Sequence, residues 1–310
     1  MKLERNSGIL LHPTSLPDSP ICGSFGEPSR VWLNELAASG IGVWQFLPLA
    51  PTDALGSPYS SPSSFALNPW FLDQDDLLKD GFLGKKIENF SSENDCFDSR
   101  VNFILASSKE KILRSYLVDN WDKQKGTFQE QFEIWCSSQF WLDDHSIFME
   151  LKIQNNDLPW WDWPKKYALR DKKELENWKR NNKRELLGHN LVQWHLDRQW
   201  KLIRKLAKKL GISLFGDVPF YVSKDSADVW SNRSLFSILT NSNTYLQSGV
   251  PPDYFSETGQ LWGNPVYRWS RHKASNYRWW RKRISRHLEQ VDFLRLDHFR
   301  ALEAFWAIPG

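Results

Sequence analysis

Asp292-Phe293-Leu294-Arg295-Leu296-Asp297 is a short, mostly apolar run of strand length that ends on a carboxylate. It follows a stretch, 277–290, that reads as a helix. Side chains alternate across a strand, so Arg295 and Asp297 fall on one side while Leu294 and Leu296 take the other. A guanidinium therefore stands beside a carboxylate at the C-terminal end of the strand. An adjacent cation favours the ionised carboxylate, the state a carboxylate nucleophile needs. A structural Arg–Asp pair buried in a sheet has the same spacing, so both roles remain open for Arg295 and Asp297 at this point.

The same unit of helix, short turn and compact apolar strand occurs twice upstream. Pro28 suits a helix start, and Trp32, Leu33, Leu36 and Ala37 continue it to Gly40, after which Val43-Trp44-Gln45-Phe46-Leu47 runs to Pro48. Val192, Leu196, Trp200, Ile203, Ala207 and Leu210 then recur at helical spacing, with Gly211 placed as a left-handed cap. Ile212-Ser213-Leu214-Phe215-Gly216 follows and leads to Asp217. An opening strand, Gly8-Ile9-Leu10-Leu11, precedes them all and ends at His12.

Helix-then-strand units with short apolar strands predict an α/β fold with a parallel sheet, either doubly wound or a (β/α)8 TIM barrel. No Gly-rich dinucleotide fingerprint follows the first strand, and the charged residues sit at the C-terminal ends of different strands, which favours the barrel. Four strands are recognisable of the eight that a closed barrel needs, so the expectation is an incomplete barrel spanning 1–310. Residues 53–190 change period and read as a mostly helical insertion after the second strand. Helices are expected over 104–118 and 128–142, with polar breaks such as Ser91-Ser92-Glu93-Asn94. Residues 218–272 read as a long loop region after the third strand.

With 310 residues, 41% apolar and 25% charged, the chain has the balance of a soluble globular protein. A net charge of +3 is far from the concentrated positive field of most nucleic-acid binders. Two basic segments, 165–184 and 278–286, nevertheless keep a basic-aromatic nucleic-acid binder as an alternative; Glu174, Glu176 and Glu185 interleave the first, and an outer helix whose Arg stems cover apolar surface explains the second. Cys22, Cys96 and Cys136 have no paired spacing, which fits a reducing compartment. No signal peptide and no apolar run of membrane-spanning length are recognised, so the expected location is the cytoplasm, away from membranes.

Further candidates lie in two Gly- and Pro-rich segments. Gly56-Ser57-Pro58-Tyr59-Ser60-Ser61-Pro62 carries hydroxyls and one aromatic, and Gly249-Val250-Pro251-Pro252-Asp253-Tyr254-Phe255 leads into Gly259-Gln260-Leu261-Trp262-Gly263-Asn264-Pro265. Rigid loops presenting Tyr59, Asp253 and Trp262 suit a ring that is apolar on its face and polar at its rim. Asp217 could bind hydroxyls or cap its loop. Eighteen tryptophans add indole surface, which packs cores as readily as it stacks on sugars.

Eight motifs in order, His12-Pro13-Thr14-Ser15-Leu16-Pro17, Trp44 to Leu49, Ser57-Pro58-Tyr59, Phe215 to Pro219, Asp225 to Trp230, Gly249 to Phe255, Gln260 to Pro265 and Leu294 to Arg300, resemble those of the 4-α-glucanotransferases, the amylomaltases or disproportionating enzymes of glycoside hydrolase family 77. The resemblance implies a barrel related to the α-amylases that moves α-1,4-glucan segments (maltooligosaccharides, starch or glycogen breakdown products) through a covalent glucosyl-enzyme, with no cofactor and no metal. It implies Asp297 as nucleophile and Arg295 as the cation that keeps it ionised. It also implies Tyr59, Asp217, Trp262 and His298 as donor-site residues, and Ser57 and Asp253 on the acceptor side. Leu296 and Ala301 depart from the residues common at those places, outside the chemistry. A retaining mechanism needs a second carboxylic acid roughly 5 Å from the nucleophile. By the resemblance this Glu follows a fifth strand, beyond Gly310, and Glu303 is a poor substitute, so the chain is expected to be inactive alone. Alternatives are a non-catalytic glucan-binding remnant and a hydrolase of the same barrel type.

Overall fold

The structure is a computed structural model that describes residues 5–17, 19, 21–53, 55–87, 100–124, 126–254 and 256–310. Cys96, the polar stretch 91–94, Phe255 and the first four residues lie outside the described residues. In chain order the strands are β1 (Gly8–Leu10), β2 (Val43–Gln45), β3 (Ser213–Val218), β4 (Leu246–Val250), β5 (Gln260–Pro265), β6 (Phe293–Leu296) and β7 (Trp306–Pro309). The helices are α1 (Glu27–Ala38), α2 (Gln74–Lys79), α3 (Phe103–Asp119), α4 (Thr127–Ser138), α5 (Leu142–Gln154), α6 (Lys165–Ala168), α7 (Lys172–Asn181), α8 (Lys183–Lys209), α9 (Ala227–Ser231), α10 (Trp269–Ala274) and α11 (Arg278–Gln290).

The four expected strands form one parallel sheet in the order β1-β2-β3-β6. Among the described residues the sheet is open, with β1 and β6 at its edges. Its register is set partly by Asp292, whose backbone N–H donates to the Leu214 carbonyl (2.9 Å) while its carboxylate accepts from the Leu214 N–H (2.9 Å) and from Arg204 (3.0 Å). That register places Asp217 directly beside Arg295.

Helix α8 seals the sheet. Its apolar stripe buries Val192, Leu196, Trp200, Ile203 and Ala207, and Trp200 packs on Phe25 (4.6 Å between centroids) and Phe46 (5.5 Å). The Trp200 indole N–H stays satisfied by donating to the Gln290 carbonyl at the end of α11 (2.8 Å). A buried aromatic of this size stabilises through area, and its pairings add about 0.5–1.5 kcal/mol each. The chain leaves α8 through Gly211 at φ +74°, the left-handed cap that lets β3 start at once. Most of the tryptophans are buried in this way; Trp262 and Trp306 are the ones with substantial exposure.

The segment 53–190 is helical among the described residues. The single helix expected over 128–142 is two, α4 and α5, broken at 139–141. At the break Phe140 and Trp141 both turn onto Phe65 (5.0 and 6.5 Å), a tertiary contact that an unbroken helix pattern does not reveal. The segment expected as loop after β3 also differs: β4 and β5 pair antiparallel, and β7 adds to β4, giving a three-stranded sheet in the order β5-β4-β7. Gly and Pro in both arms hide the alternation that normally marks a strand. The turn depends on Gly259, at φ +75°, where a Cβ would lie 2.5 Å from the Val250 carbonyl oxygen.

Part of the positive charge of the basic segments is taken up within the fold. In 165–184, Lys166 pairs with Glu174 (2.8 Å), Arg170 with Asp144 (2.5 Å), Lys179 with Asp143 (3.0 Å) and Arg184 with Asp119. On α11 the heads of Arg283 and Arg286 do not reach outward over apolar surface as expected. Both are buried, Arg283 on the carbonyls of Pro219 and Phe220 and Arg286 on Asp197 (3.0 Å). No helix among the described residues is long and apolar enough to cross a membrane.

Candidate active site

The site forms where β3 and β6 end side by side. Asp217 and Arg295 are paired residues on neighbouring parallel strands, and Asp297 lies two residues beyond Arg295. Asp297 is held by its backbone N–H, which donates to the Val218 carbonyl (3.0 Å). One guanidinium then serves both acids: Arg295 donates from Nη1 to Asp217 Oδ2 (2.8 Å) and from Nη2 to Asp297 Oδ1 (2.5 Å). The two acids differ in setting. The Asp217 side chain is 4% exposed and that of Asp297 37%. Burial works against the charge on Arg295, but Asp217 and then Asp297 outweigh it and raise its pKa.

Tyr59 completes the cluster from the loop after β2. Its hydroxyl donates to Asp217 Oδ2 (2.7 Å), so that one oxygen accepts two hydrogen bonds, while Asp217 Oδ1 is buried without a hydrogen-bond partner among the described residues. Burial, followed by the hydrogen bond to Asp217 and that carboxylate's charge, raises the Tyr59 pKa and keeps the phenol a donor. The loop is preset locally. Asp53 Oδ1 accepts the N–H groups of Leu55 (2.9 Å) and Ser57 (2.8 Å), and Ser57 Oγ accepts the Tyr59 N–H (3.3 Å) at the start of a single 3-10 turn, Pro58–Ser60. Ser57 thus sits one step back from the carboxylates and positions Tyr59.

A second group of side chains forms an aromatic wall. His298, directly after Asp297, adopts left-handed backbone geometry (φ +49°) ahead of a 3-10 turn, Phe299–Leu302. Its ring meets Trp262 of β5 edge-to-face at 5.0 Å. Tyr221, buried just after β3, touches both, at 6.1 Å from Trp262 and 6.1 Å from His298. The Trp262 N–H donates to Gln260 Oε1 (3.0 Å) on its own strand. Asp253 lies in the connection between β4 and β5, exposed, with Oδ1 accepting the Ser256 N–H (3.0 Å).

Structure therefore joins Tyr59, Asp217, Arg295 and Asp297 by hydrogen bonds, and Trp262 with His298 by ring contact. Ser57 acts through Tyr59, and Asp253 stands on the hairpin that carries Trp262. Tyr221 and Asp53 escaped the sequence reasoning. Tyr221 follows Asp217 closely, so position after a strand end was its available signal; Asp53 precedes the Gly56 loop as turn-closing Asp residues often do. Among the described residues no cluster of His, Cys, Asp or Glu is arranged to hold a metal ion. A larger groove of about 1140 Å³, bordered by Trp32, Asp73, Lys86 and Lys109, shares no residue with this cluster.

Residues 11–310 match the family model for 4-alpha-glucanotransferase. The chain belongs to this family. It is 38% identical to a 4-alpha-glucanotransferase of Synechocystis sp. over 99% of its own length and 61% of that protein's. It is 37% identical to the 4-alpha-glucanotransferase of Thermus thermophilus, over 100% and 61%. Among solved structures it resembles an amylomaltase from Streptococcus agalactiae in complex with acarbose, at 32% identity and a TM-score of 0.91, covering 99% of this chain and 62% of that one. The chain thus spans about three-fifths of the length of these relatives, and over that span it shares the fold of the Streptococcus agalactiae amylomaltase.

Proposed function

We propose that this chain carries the nucleophile and donor-binding part of a retaining 4-α-glucanotransferase that moves α-1,4-glucan segments from maltooligosaccharides or starch-type glucans to the 4-hydroxyl of an acceptor glucan. The observation that carries the proposal is the single guanidinium of Arg295 divided between a buried and an exposed carboxylate at adjacent strand ends. In this mechanism a carboxylate oxygen of Asp297 attacks the anomeric carbon while the glycosidic bond breaks and its electron pair leaves with the departing glucan's 4-oxygen. The acceptor's 4-hydroxyl later displaces Asp297 and gives up its proton. Arg295 supplies the complementary charge. Asp217 offers its buried Oδ1 to sugar hydroxyls, while Trp262 and His298 present apolar ring surface to the sugar face. Tyr59, bonded to Asp217, belongs to the donor side, and Ser57 and Asp253, the latter from the hairpin, are assigned to the acceptor side.

The departing oxygen needs a proton donor. Asp217 is ill suited, because it is buried and its Oδ2 already accepts from Arg295 and Tyr59. Glu303, at the end of the 3-10 turn, is exposed and makes no hydrogen bond or ion pair with Asp297 among the described residues. We assign the acid/base to a carboxyl outside residues 1–310, and the closure of the (β/α)8 barrel to strands that pair with the edges β1 and β6. The basic segments supply no comparable observation for a nucleic-acid binder. The cytoplasm is the proposed location.

Two measurements test the assignment. Incubation of the purified chain with maltotriose should give no products; glucose with longer maltodextrins would place the acid/base within these residues. A maltosyl fluoride bypasses the need for strong leaving-group protonation, and mass spectrometry should then find a glycosyl adduct on Asp297 that Asp297→Asn abolishes. An adduct retained in that variant would remove Asp297 from the role.

A further inference from the structure

Behind the aromatic wall lies a cavity of about 10 Å³, bordered by Tyr59 and Tyr221 on the site side and by Arg283 and His287 of α11 on the other. A volume of about 10–15 Å³ accommodates one water molecule, provided that two to four polar groups receive it. Three of the residues that border this cavity carry such a group: Tyr221 Oη, Arg283 Nε and His287 Nε2 are all buried without a hydrogen-bond partner among the described residues. Unsatisfied buried polar atoms are individually costly, and three around one water-sized space is the arrangement that a bridging water relieves.

We propose that this cavity is a binding site for a single water, and that Arg283 and His287 act through that water as positioning residues for Tyr221. The water accepts from the Arg283 Nε–H and the Tyr221 O–H and donates to His287 Nε2. Each assigned role suits its group. Arg283 has its other nitrogens on the carbonyls of Pro219 (2.7 Å) and Phe220 (3.0 Å), and Nε is its nitrogen without a partner among the described residues. Burial, then Arg283 and Arg286, push His287 down to about 3, so its ring is neutral and can present a bare nitrogen. The Tyr221 hydroxyl is raised by burial and remains a donor. Tyr221 in turn contacts His298, Trp262 and Tyr267, the last stacked at 11°. The bridge thereby ties the helix behind the sheet to the wall that faces the carboxylates.

The test is ¹⁵N NMR of the full chain with labelled histidine. In the unmodified protein, His287 should be the neutral Nδ1–H form between pH 5 and 8, with its Nε2 hydrogen-bonded and with a water cross-peak to the imidazole. Tyr221→Phe, which keeps the ring and removes the hydroxyl, should shift the His287 Nε2 resonance, although no hydrogen bond joins the two residues directly. A protonated Nε2 or a dry cavity in the unmodified protein overturns the proposal without any variant. A His287 resonance unchanged in a folded Tyr221→Phe chain overturns the coupling.

Discussion

Replacing Arg295 with Met takes one guanidinium away from two carboxylates of different exposure, and the two losses can be separated. Removing one partner of a fully buried ion pair costs about 3–5 kcal/mol, because the other charge is left without compensation. Asp217 is buried to that degree, but Arg295 is 45% exposed and water screens its field, so about 2 kcal/mol is expected for this arm. The Asp297 arm joins two partly exposed groups and contributes about 0–1 kcal/mol. Arg295→Met should therefore destabilise the chain by about 2–3 kcal/mol, and Asp297→Asn by less than about 1 kcal/mol. In an Asp217→Asn background no buried charge is stranded, and Arg295→Met should cost only about 1 kcal/mol or less. Urea unfolding at pH 7, followed by tryptophan fluorescence with far-UV circular dichroism as the check on two-state behaviour, supplies the four corners of this cycle. A coupling between Arg295 and Asp217 below about 0.5 kcal/mol would refute the forked-guanidinium account.

Tyr59→Phe removes a hydroxyl hydrogen bond to a carboxylate and should cost about 1–2 kcal/mol in the same assay, part of it absent once Asp217 is Asn. Asp228 is buried and accepts the Ser64 N–H (2.7 Å); burial raises it to about 6, against the opposing hydrogen bond and Arg283. A raised carboxyl favours folding in its protonated form, so its contribution is present below the unfolded value and is lost as pH rises through about 6. Between pH 4 and 7.5 the wild type should thus lose up to about 3 kcal/mol relative to Asp228→Asn, and parallel pH profiles would contradict this. Gly259→Ala forces a side chain into left-handed geometry against the Val250 carbonyl. It should cost about 1–2 kcal/mol or more and accelerate amide exchange in β4 and β5, with unchanged exchange counting against the turn's dependence on glycine.

The parallel sheet was legible because its strands are short and nearly all apolar, because β2, β3 and β6 each follow an amphipathic helix, and because Gly211 announces the end of α8. Asp217 and Asp297 were legible because they stand at strand ends, where period-two alternation dictates direction. The second sheet was not. Gly249 and Pro265 are loop residues by local preference, and only the pairing of β4 with β5, and of β4 with β7 more than fifty residues onward, makes them part of strands. The buried ends of Arg283 and Arg286 were hidden for a similar reason: a run of arginines on a helix resembles a solvated face until the carbonyls and carboxylate that receive them are known. The fork of Arg295 onto Asp217 also depends on strand register, which no single segment encodes.

That fork assigns different roles to two residues of the same type. Asp217, buried and holding both Arg295 and Tyr59 on one oxygen, is the anchor of the cluster, and its replacement by Asn should be felt in stability. Asp297 takes the other arm of the same guanidinium but remains open to solvent, so it is oriented without being enclosed. An attacking carboxylate needs that combination, since a fixed direction lowers the entropy of reaching the anomeric carbon while exposure leaves room for a sugar. A purely structural ion pair at Asp297 would make Asp297→Asn irrelevant to adduct formation. The nucleophile assignment requires the adduct to disappear in that variant while the chain stays folded, and mass spectrometry with the unfolding curve separates the two readings.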